Sequence, residues 1–502
     1  MEEHQAAVSR ISDRISHYYE QKIPFRLYHG STNSTRQYTV DRNRMVDTSG
    51  LNHVLSIDWA KKTCLVEPNV PMDDLVDAVM PHGLLPPVVM EFPGITVGGG
   101  FAGTAGESSG FKYGFFDCVV NWIEIVLPTG EVVEASETNR ADLFKGAAGS
   151  LGTLGVTTLL ELQLIESRPY IEMTYHPASS TESALKILET ETSNPANDYV
   201  DGILFSPTHG VIVTGKLTSI PSPGTPTQTF SNARDPWFYI HVERRTKAHA
   251  ATGEPQCFAT PTRDYLFRYD RGAFWTGRYA YKYFLTPFNR ITRWALDYFM
   301  HTRVMYHALH ASGHSSKYMI QDLMLPADTA GKFVQYVGEE FGFWPLWLCP
   351  LKVGQEISMR PAVGRGESGE AAKGPGARFV NVGVWGPGPQ RFEQFVEVNR
   401  RLERRGRELG GVKWLYSQCY YTADEFWGIY DGAWYSKLRE KYQATYLPDV
   451  YDKTKVDLSE WRRREATWSG WLQGRFWDVW PLSGLYGVMR TLMERDYLLA
   501  KS

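Results

Sequence analysis

Cysteine is scarce: the 502 residues hold five, Cys64, Cys118, Cys257, Cys349 and Cys419, widely spaced and without a C-x-x-C pair. So odd and scattered a set does not make a disulfide framework, and a reducing, intracellular setting is expected. Long apolar runs are missing too. No stretch reaches the ~20 consecutive apolar residues that a membrane-spanning helix needs. The opening MEEHQAAVSRISDRISHYYEQ is charged and amphipathic, so an integral membrane protein is not expected. Charge of one sign is equally absent: 53 Lys and Arg against 56 Asp and Glu leave a formal −3, scattered along the chain. Nothing there matches a phosphate backbone, and no nucleic-acid partner is expected. No internal repeat is visible, which sets solenoids and propellers aside.

What the chain holds in quantity is aromatic side chains and glycine. Aromatics reach 14%, with sixteen Trp and twenty-eight Tyr, and crowd after Trp237; they suit large cores and also a pocket for a large apolar substrate. The length fits two or three domains of roughly 100–200 residues. Residues 23–166 alternate short β-rich runs with turn formers: PFRLYHG, HVLSIDWA, KTCLVEPNV and VVNWIEIVLPTGEVVEAS. LPTGEVV predicts a tight hairpin. PMDDLVDAVMPHG predicts a short helix with acids at its start and Gly83 at its end. From Ile171 onward, the helical patterns TESALKILETETS and RITRWALDYFMHTRVMYHALH alternate with the strand patterns GVIVTGKLT, PLWLCPLKV and FVNVGVWG. Both regions therefore read as α+β. Two loops, SIPSPGTPTQTF and RPAVGRGESGEAAKGPGAR, are candidate lids.

The densest signal is FPGITVGGGFAGTAGESSGFKYG, residues 92–114, with eight glycines. Lacking Cβ atoms, such a stretch lets backbone N–H groups approach a pyrophosphate. Upstream, YHGSTNSTR adds Gly30 and several hydroxyl and amide side chains. Downstream, GAAGSLGTLGVTTLLELQLI brings Gly146, Gly149, Gly152 and Gly155 before a strand pattern. Gly98, Gly100 and Gly103 match G-x-G-x-x-G, but a nicotinamide-binding Rossmann unit is rejected. Gly106, Gly110 and Gly114 would break its helix, and Glu124 lies inside WIEIVL rather than at its end.

The ordered trio resembles the FAD-binding domain of the vanillyl-alcohol-oxidase, or PCMH, type. More narrowly, ITVGGGFAGTAGESSGFKYGFF, LPTGEVV and DLFKGAAGSLGTLGVTTLLELQLI are similar to the delta-24 sterol reductase family, the 24-dehydrocholesterol reductase and Diminuto group. The match continues through VDGILFSPTHGVIVTG, DPWFYIHVE, IQDLMLP, WPLWLCPLKV and LYSQCYYTADEFWGIYDGAWYSKLREKY, most of the chain. It implies an α+β protein: a two-subdomain FAD-binding domain over 1–167, an α+β substrate or cap domain over 168–410, a segment over 411–456 closing on the active site, and a Trp- and Arg-rich helical tail over 457–502. It also implies that His29, Gly30, Ser31, Thr32, Asn33 and Ser34, with Thr96, Val97, Gly98, Gly99, Gly100 and Gly103, wrap the diphosphate and ribityl chain of non-covalent FAD. Ser108, Ser109 and Gly114 would then lie along the flavin, and Gly152, Gly155 and Val156 near the adenine. The family's amino-terminal membrane anchor has no counterpart in the sequence, and EFPGITV stands where the family is more acidic.

Carried over, the resemblance implies an FAD-dependent reductase of a carbon–carbon double bond in a sterol-like substrate, with NADPH as transient electron donor. An oxidase or dehydrogenase, or a non-redox cyclase or lyase, are the alternatives on the same fold. An isolated alkene accepts hydride only when protonation polarises it, so an acid is required. Tyr420, Tyr421, Glu425 and Asp431 are the candidates for that acid. RDYLFRYDRGAFW offers Arg268 to Arg271 for an anion or for a structural ion-pair network. The H-x2-H-x3-H of His307, His310 and His314 imitates metal-ligand spacing, yet Ser312 and Gly313 end the pattern without an acidic partner, and no metal is expected. The Trp- and Arg-rich tail suits peripheral membrane contact, at the endoplasmic reticulum for a sterol enzyme, or a homodimer interface.

Overall fold

The computed structural model describes residues 1–30, 36, 42–312, 314, 317–352, 378–457 and 479–493. The second candidate lid and most of the tail lie outside these residues. Two antiparallel sheets organise the α+β fold. The first has five strands in the order Val54–Asp58, Thr63–Val66, Val156–Gln163, Val120–Val126, Val132–Ser136. The expected hairpin joins its last two strands, pairing Val126 with Val132. The expected short helix is Met72–Val79, with Asp73 and Asp74 in its first turn and Met72, Leu75, Val76 and Val79 buried. The amphipathic opening is helix Glu2–Glu20, which buries Val8, Ile11, Ile15 and Tyr18.

The second sheet has eight strands, in the order Gln256–Pro261, Tyr170–Ala178, His209–Thr218, Tyr199–Ser206, Leu346–Lys352, Arg378–Pro387, Tyr318–Pro326, Val412–Lys413. Strand alternation gives it two different faces. Leu346 and Leu348, Val380, Val382 and Val384, and Leu323 and Leu325 share a core with Ala184, Leu188, Phe333 and Phe395 of helices Thr181–Thr192, Ala327–Phe341 and Phe392–Glu408. The intervening Trp347, Cys349 and Leu351, Phe379 and Trp385, and Ile320 and Met324 join the core that continues into the first sheet's domain. The site lies on that second face.

RITRWALDYFMHTRVMYHALH, expected as one long helical stretch, divides into Arg290–Ala295, a short turn Asp297–Met300 and Thr302–Ala311. The break is made by Asp270, whose carboxylate accepts from the Thr302 backbone N–H at 3.0 Å and contacts His301 Nδ1 at 2.5 Å. A tertiary carboxylate supplies an N-terminal cap that helical periodicity could not show.

Candidate functional site

A continuous cavity runs between the two sheets, and its two ends differ in chemistry. At one end the wall consists of Arg26, Leu27, His29, Arg36, Lys453, Thr96, Gly98, Gly99, Gly103, and the turn from Ser150 to Thr157. Gly98 packs so closely that a Cβ would lie 2.7 Å from Pro68 Cβ and 2.9 Å from Pro68 O, whereas a Cβ on Gly103 would meet nothing within 4 Å. Gly152 and Gly155, with φ of 72° and 146°, hold the turn in backbone conformations that side-chain-bearing residues rarely adopt.

The way this end can hold an anion differs from the expectation. The Gly98 N–H donates to Pro68 O at 2.7 Å, and the Gly99 N–H to Thr96 Oγ1 at 3.2 Å, so these amides are engaged within the protein. Positive charge comes instead from Arg26, Arg36 and Lys453. Lys453 Nζ donates to Leu151 O at 2.6 Å. Burial, then the neighbouring charges of Arg36, Arg26 and Arg439, bring its ammonium down to about 7. Three cations crowded on one wall, with one driven toward its neutral form, fit a group that brings negative charge.

Several glycines in the rich stretch serve another purpose. A Cβ on Gly106 or Gly110 would lie 2.9 or 2.6 Å from Leu351 Cδ2 on the second sheet. Their absence of side chain lets the stretch lie directly against that sheet. Gly100 packs on Met90 in the same way, at 2.5 Å.

At the other end the wall is aromatic: Phe92, Phe274, Tyr306, Trp347, Trp385 and Trp414. Phe92 meets Phe274, Tyr306 and Trp385 edge-on at 5.6, 6.0 and 5.8 Å, and Phe274 meets Trp385 at 4.9 Å. Phe274 sits at φ 60°, a strained conformation for a bulky residue that costs about 1–3 kcal/mol. Its neighbourhood holds it there: Arg271 donates to the carbonyls of Phe230, Asp235 and Ala233, and the Gly272 N–H donates to Met300 O. The strain aims the ring into the wall.

Three carboxyls interrupt the aromatic end: Glu91, Glu107 and Asp322. Asp322 accepts from Asn381 Nδ2 at 2.8 Å, from Trp385 Nε1 at 3.2 Å and from the Tyr416 hydroxyl. Trp414 Nε1 holds Asn381 from the other side at 2.9 Å. Behind Glu91, Arg268 Nη2 lies 3.3 Å from it and 3.0 Å from Asp201, which also accepts from Tyr269 and Trp347. The Arg268–Arg271 cluster is thus a buried ion-pair network, with Arg268 backing a wall residue.

Of the residues expected around a cofactor, His29, Thr96, Gly98, Gly99, Gly103, Gly152, Gly155 and Val156 line the cavity. Gly30, Val97, Gly100, Ser108, Ser109 and Gly114 do not line it. Ser31, Thr32, Asn33 and Ser34 lie outside the described residues. The four expected acids are elsewhere. Tyr420 and Tyr421 are buried against Glu403, which takes the Tyr420 N–H at 3.1 Å and, through its carbonyl, the Tyr421 hydroxyl at 3.2 Å. Glu425 and Asp431 cap helices Ala423–Ile429 and Gly432–Lys441. None of the four lines the cavity, and the capping tasks of Glu425, in Thr-x-x-Glu, and of Asp431 are ones the local sequence could have revealed. His307 and His310 lie on helix Thr302–Ala311, and His314 Nε2 contacts Ser483 Oγ at 3.0 Å. Among the described residues no group of three or more His, Cys, Asp or Glu comes together to hold a metal, and no helix is long and apolar enough to cross a membrane.

Glu91, Glu107, Asp322, Tyr416 and Lys453 escaped the sequence reading. A signal was available for three of them: Glu107 sits within the glycine-rich stretch, Asp322 within IQDLMLP and Tyr416 within LYSQCYY, segments already tied to a common family.

Residues 6–136, which supply much of the glycine-lined end, match the family described as FAD binding domain. A more specific likeness runs over most of the chain. The chain is 28% identical over 411 residues to the Delta(24)-sterol reductase of Homo sapiens, covering 80% of this chain and 76% of that protein. It is 29% identical over 465 residues to the enzyme of the same name from Arabidopsis thaliana, covering 86% and 80%. It is also 25% identical over 438 residues to a Delta(24)-sterol reductase homolog of Caenorhabditis elegans, covering 81% and 78%. The resemblance to the delta-24 sterol reductase family, drawn from scattered motifs, therefore holds across the chain.

Proposed function

We propose that this protein is an FAD-dependent reductase of a carbon–carbon double bond in a large apolar substrate, the delta-24 side-chain alkene of a sterol, with NADPH as transient electron donor. The observation that carries this reading is the continuity of one cavity from a cationic, glycine-lined end to an aromatic one. In it Arg26, His29, Arg36 and Lys453 would hold the diphosphate of non-covalent FAD, and the family resemblance adds Gly30, Ser31, Thr32, Asn33 and Ser34. The wall from Thr96 to Gly103 follows the ribityl chain, Ser108, Ser109 and Gly114 support the flavin, and Gly152, Gly155 and Val156 border the adenine. FAD bound there supplies a two-electron reductant that can be charged by a nicotinamide and discharged onto a polarised alkene carbon.

The rest is the work of this chain's own side chains. The aromatic wall excludes water and takes apolar substrate by burial, at roughly 25 cal/mol per Å². The faces of Trp347, Trp385 and Phe274 favour the positive charge that develops on the alkene when it is protonated. Leu485, Leu492 and Met493, exposed on helix Leu482–Met493, support peripheral contact with a sterol-bearing membrane such as the endoplasmic reticulum, or with a second copy. The test is mass spectrometry of products after incubating purified FAD-loaded protein with NADPH and a panel of sterols. A gain of two hydrogens on a delta-24 sterol is expected. Unchanged turnover with a redox-inert FAD analogue would overturn the proposal.

A further inference from the structure

Flavin and aromatic wall leave one requirement of alkene reduction unassigned, the acid. Glu91 and Glu107 both lie on the aromatic wall, 4% and 7% exposed, and each carboxyl acts on the other as a close neighbour. Their surroundings differ. Glu91 has the Arg268 guanidinium at 3.3 Å. Glu107 has no ion-pair partner among the described residues, and its Oε2 has no hydrogen-bond partner among them either. Two buried carboxyls in contact do not both ionise, and the charge settles on the one nearer the cation. Burial and the charge of Glu91 together hold Glu107 well above the usual carboxylate range.

The other carboxyl of this wall and its tyrosine neighbour are engaged with each other. Asp322 accepts from Asn381, Trp385 and Tyr416, and the Tyr416 hydroxyl spends its proton on Asp322. We infer that Glu107 is the proton donor of the reaction and Glu91 the positioning residue that keeps the shared proton on it. This rests on the reductase reading above. The Glu107 O–H bond breaks as a C–H bond forms at the less substituted alkene carbon from the π electron pair. The other carbon takes a hydride equivalent from the reduced flavin, which is thereby oxidised. The Glu107 carboxylate recovers its proton from solvent before the next turnover.

Two readouts test it on the FAD-loaded protein. Infrared difference spectra between H2O and D2O at neutral pH should contain the carbonyl stretch of a protonated carboxylic acid that disappears in Glu107→Gln. Absence of any such band from the wild type overturns the inference even if that variant does not fold. In anaerobic half-reactions, Glu107→Gln should be reduced by NADPH at close to the wild-type rate, whereas reoxidation of its flavin by sterol should slow by roughly 100- to 10,000-fold, with partial recovery in Glu107→Asp. Reoxidation of Glu107→Gln at the wild-type rate overturns the assignment of Glu107 alone. Failure of sterol to reoxidise the reduced wild type overturns the reductase reading, and the donor role with it.

Discussion

The residue whose setting says most about the cationic end of the cavity is Lys453. In the protein without cofactor its ammonium is about half charged near neutrality, because burial and then Arg36, Arg26 and Arg439 oppose its charge. An incoming diphosphate reverses the balance and raises its affinity for a proton. FAD binding above pH 7 should therefore take up a proton, and affinity should fall as pH rises through the range where the free protein has lost that charge. Calorimetric titration in buffers of different ionisation heat measures the uptake, and Lys453→Met should abolish it. At the opposite end, Phe274 is held at φ 60° against Tyr269, with ring centroids 4.0 Å apart. Phe274→Leu should leave the flavin spectrum unchanged and raise KM for a sterol by roughly tenfold, the effect of a mis-shaped apolar pocket.

Between elements, the glycine-rich stretch is where sequence and structure part most clearly. Its composition was legible as a close approach of backbone to something. That the something is partly Pro68, Met90 and Leu351 was not, because those partners are distant in sequence and chosen by packing. Gly98→Ala should therefore lower stability by about 1–3 kcal/mol through overpacking against Pro68, visible as a lower Tm and reduced FAD content. The hairpin and the short acidic-capped helix were legible because their signals are local. The division of residues 290–311 was not, because Asp270 makes it from another part of the chain. That same contact carries a pH dependence. Burial alone would lower His301, but Asp270 and Asp297 outweigh it and raise it to about 9. A group raised on folding stabilises fully below its unfolded value near 6.5 and loses this as pH climbs through 9. With a third of the imidazole exposed, the contribution is discounted to about 1 kcal/mol. The wild-type Tm should fall more steeply between pH 6.5 and 9 than that of His301→Gln.

At the scale of the molecule, the cavity exists because three parts of the chain meet. The glycine-rich domain gives one wall and the inward face of the eight-stranded sheet another. The segment from Val412 to Thr454 adds Trp414, Tyr416 and Lys453 to its lining. That segment is tied back to the first domain by Tyr435 OH at 2.6 Å from Thr153 Oγ1, by Lys441 to Asp142, and by Tyr446 OH to Pro128 O at 2.7 Å. The family resemblance made the FAD-binding domain and the α+β class readable, whereas the proposed acid shows only once the fold has brought Glu91, Glu107 and Arg268 together. The most direct test of the whole is anaerobic stopped-flow spectroscopy of the FAD-loaded protein. NADPH should bleach the flavin and a delta-24 sterol should restore its absorbance. Bleaching by the sterol with none by NADPH would contradict the account.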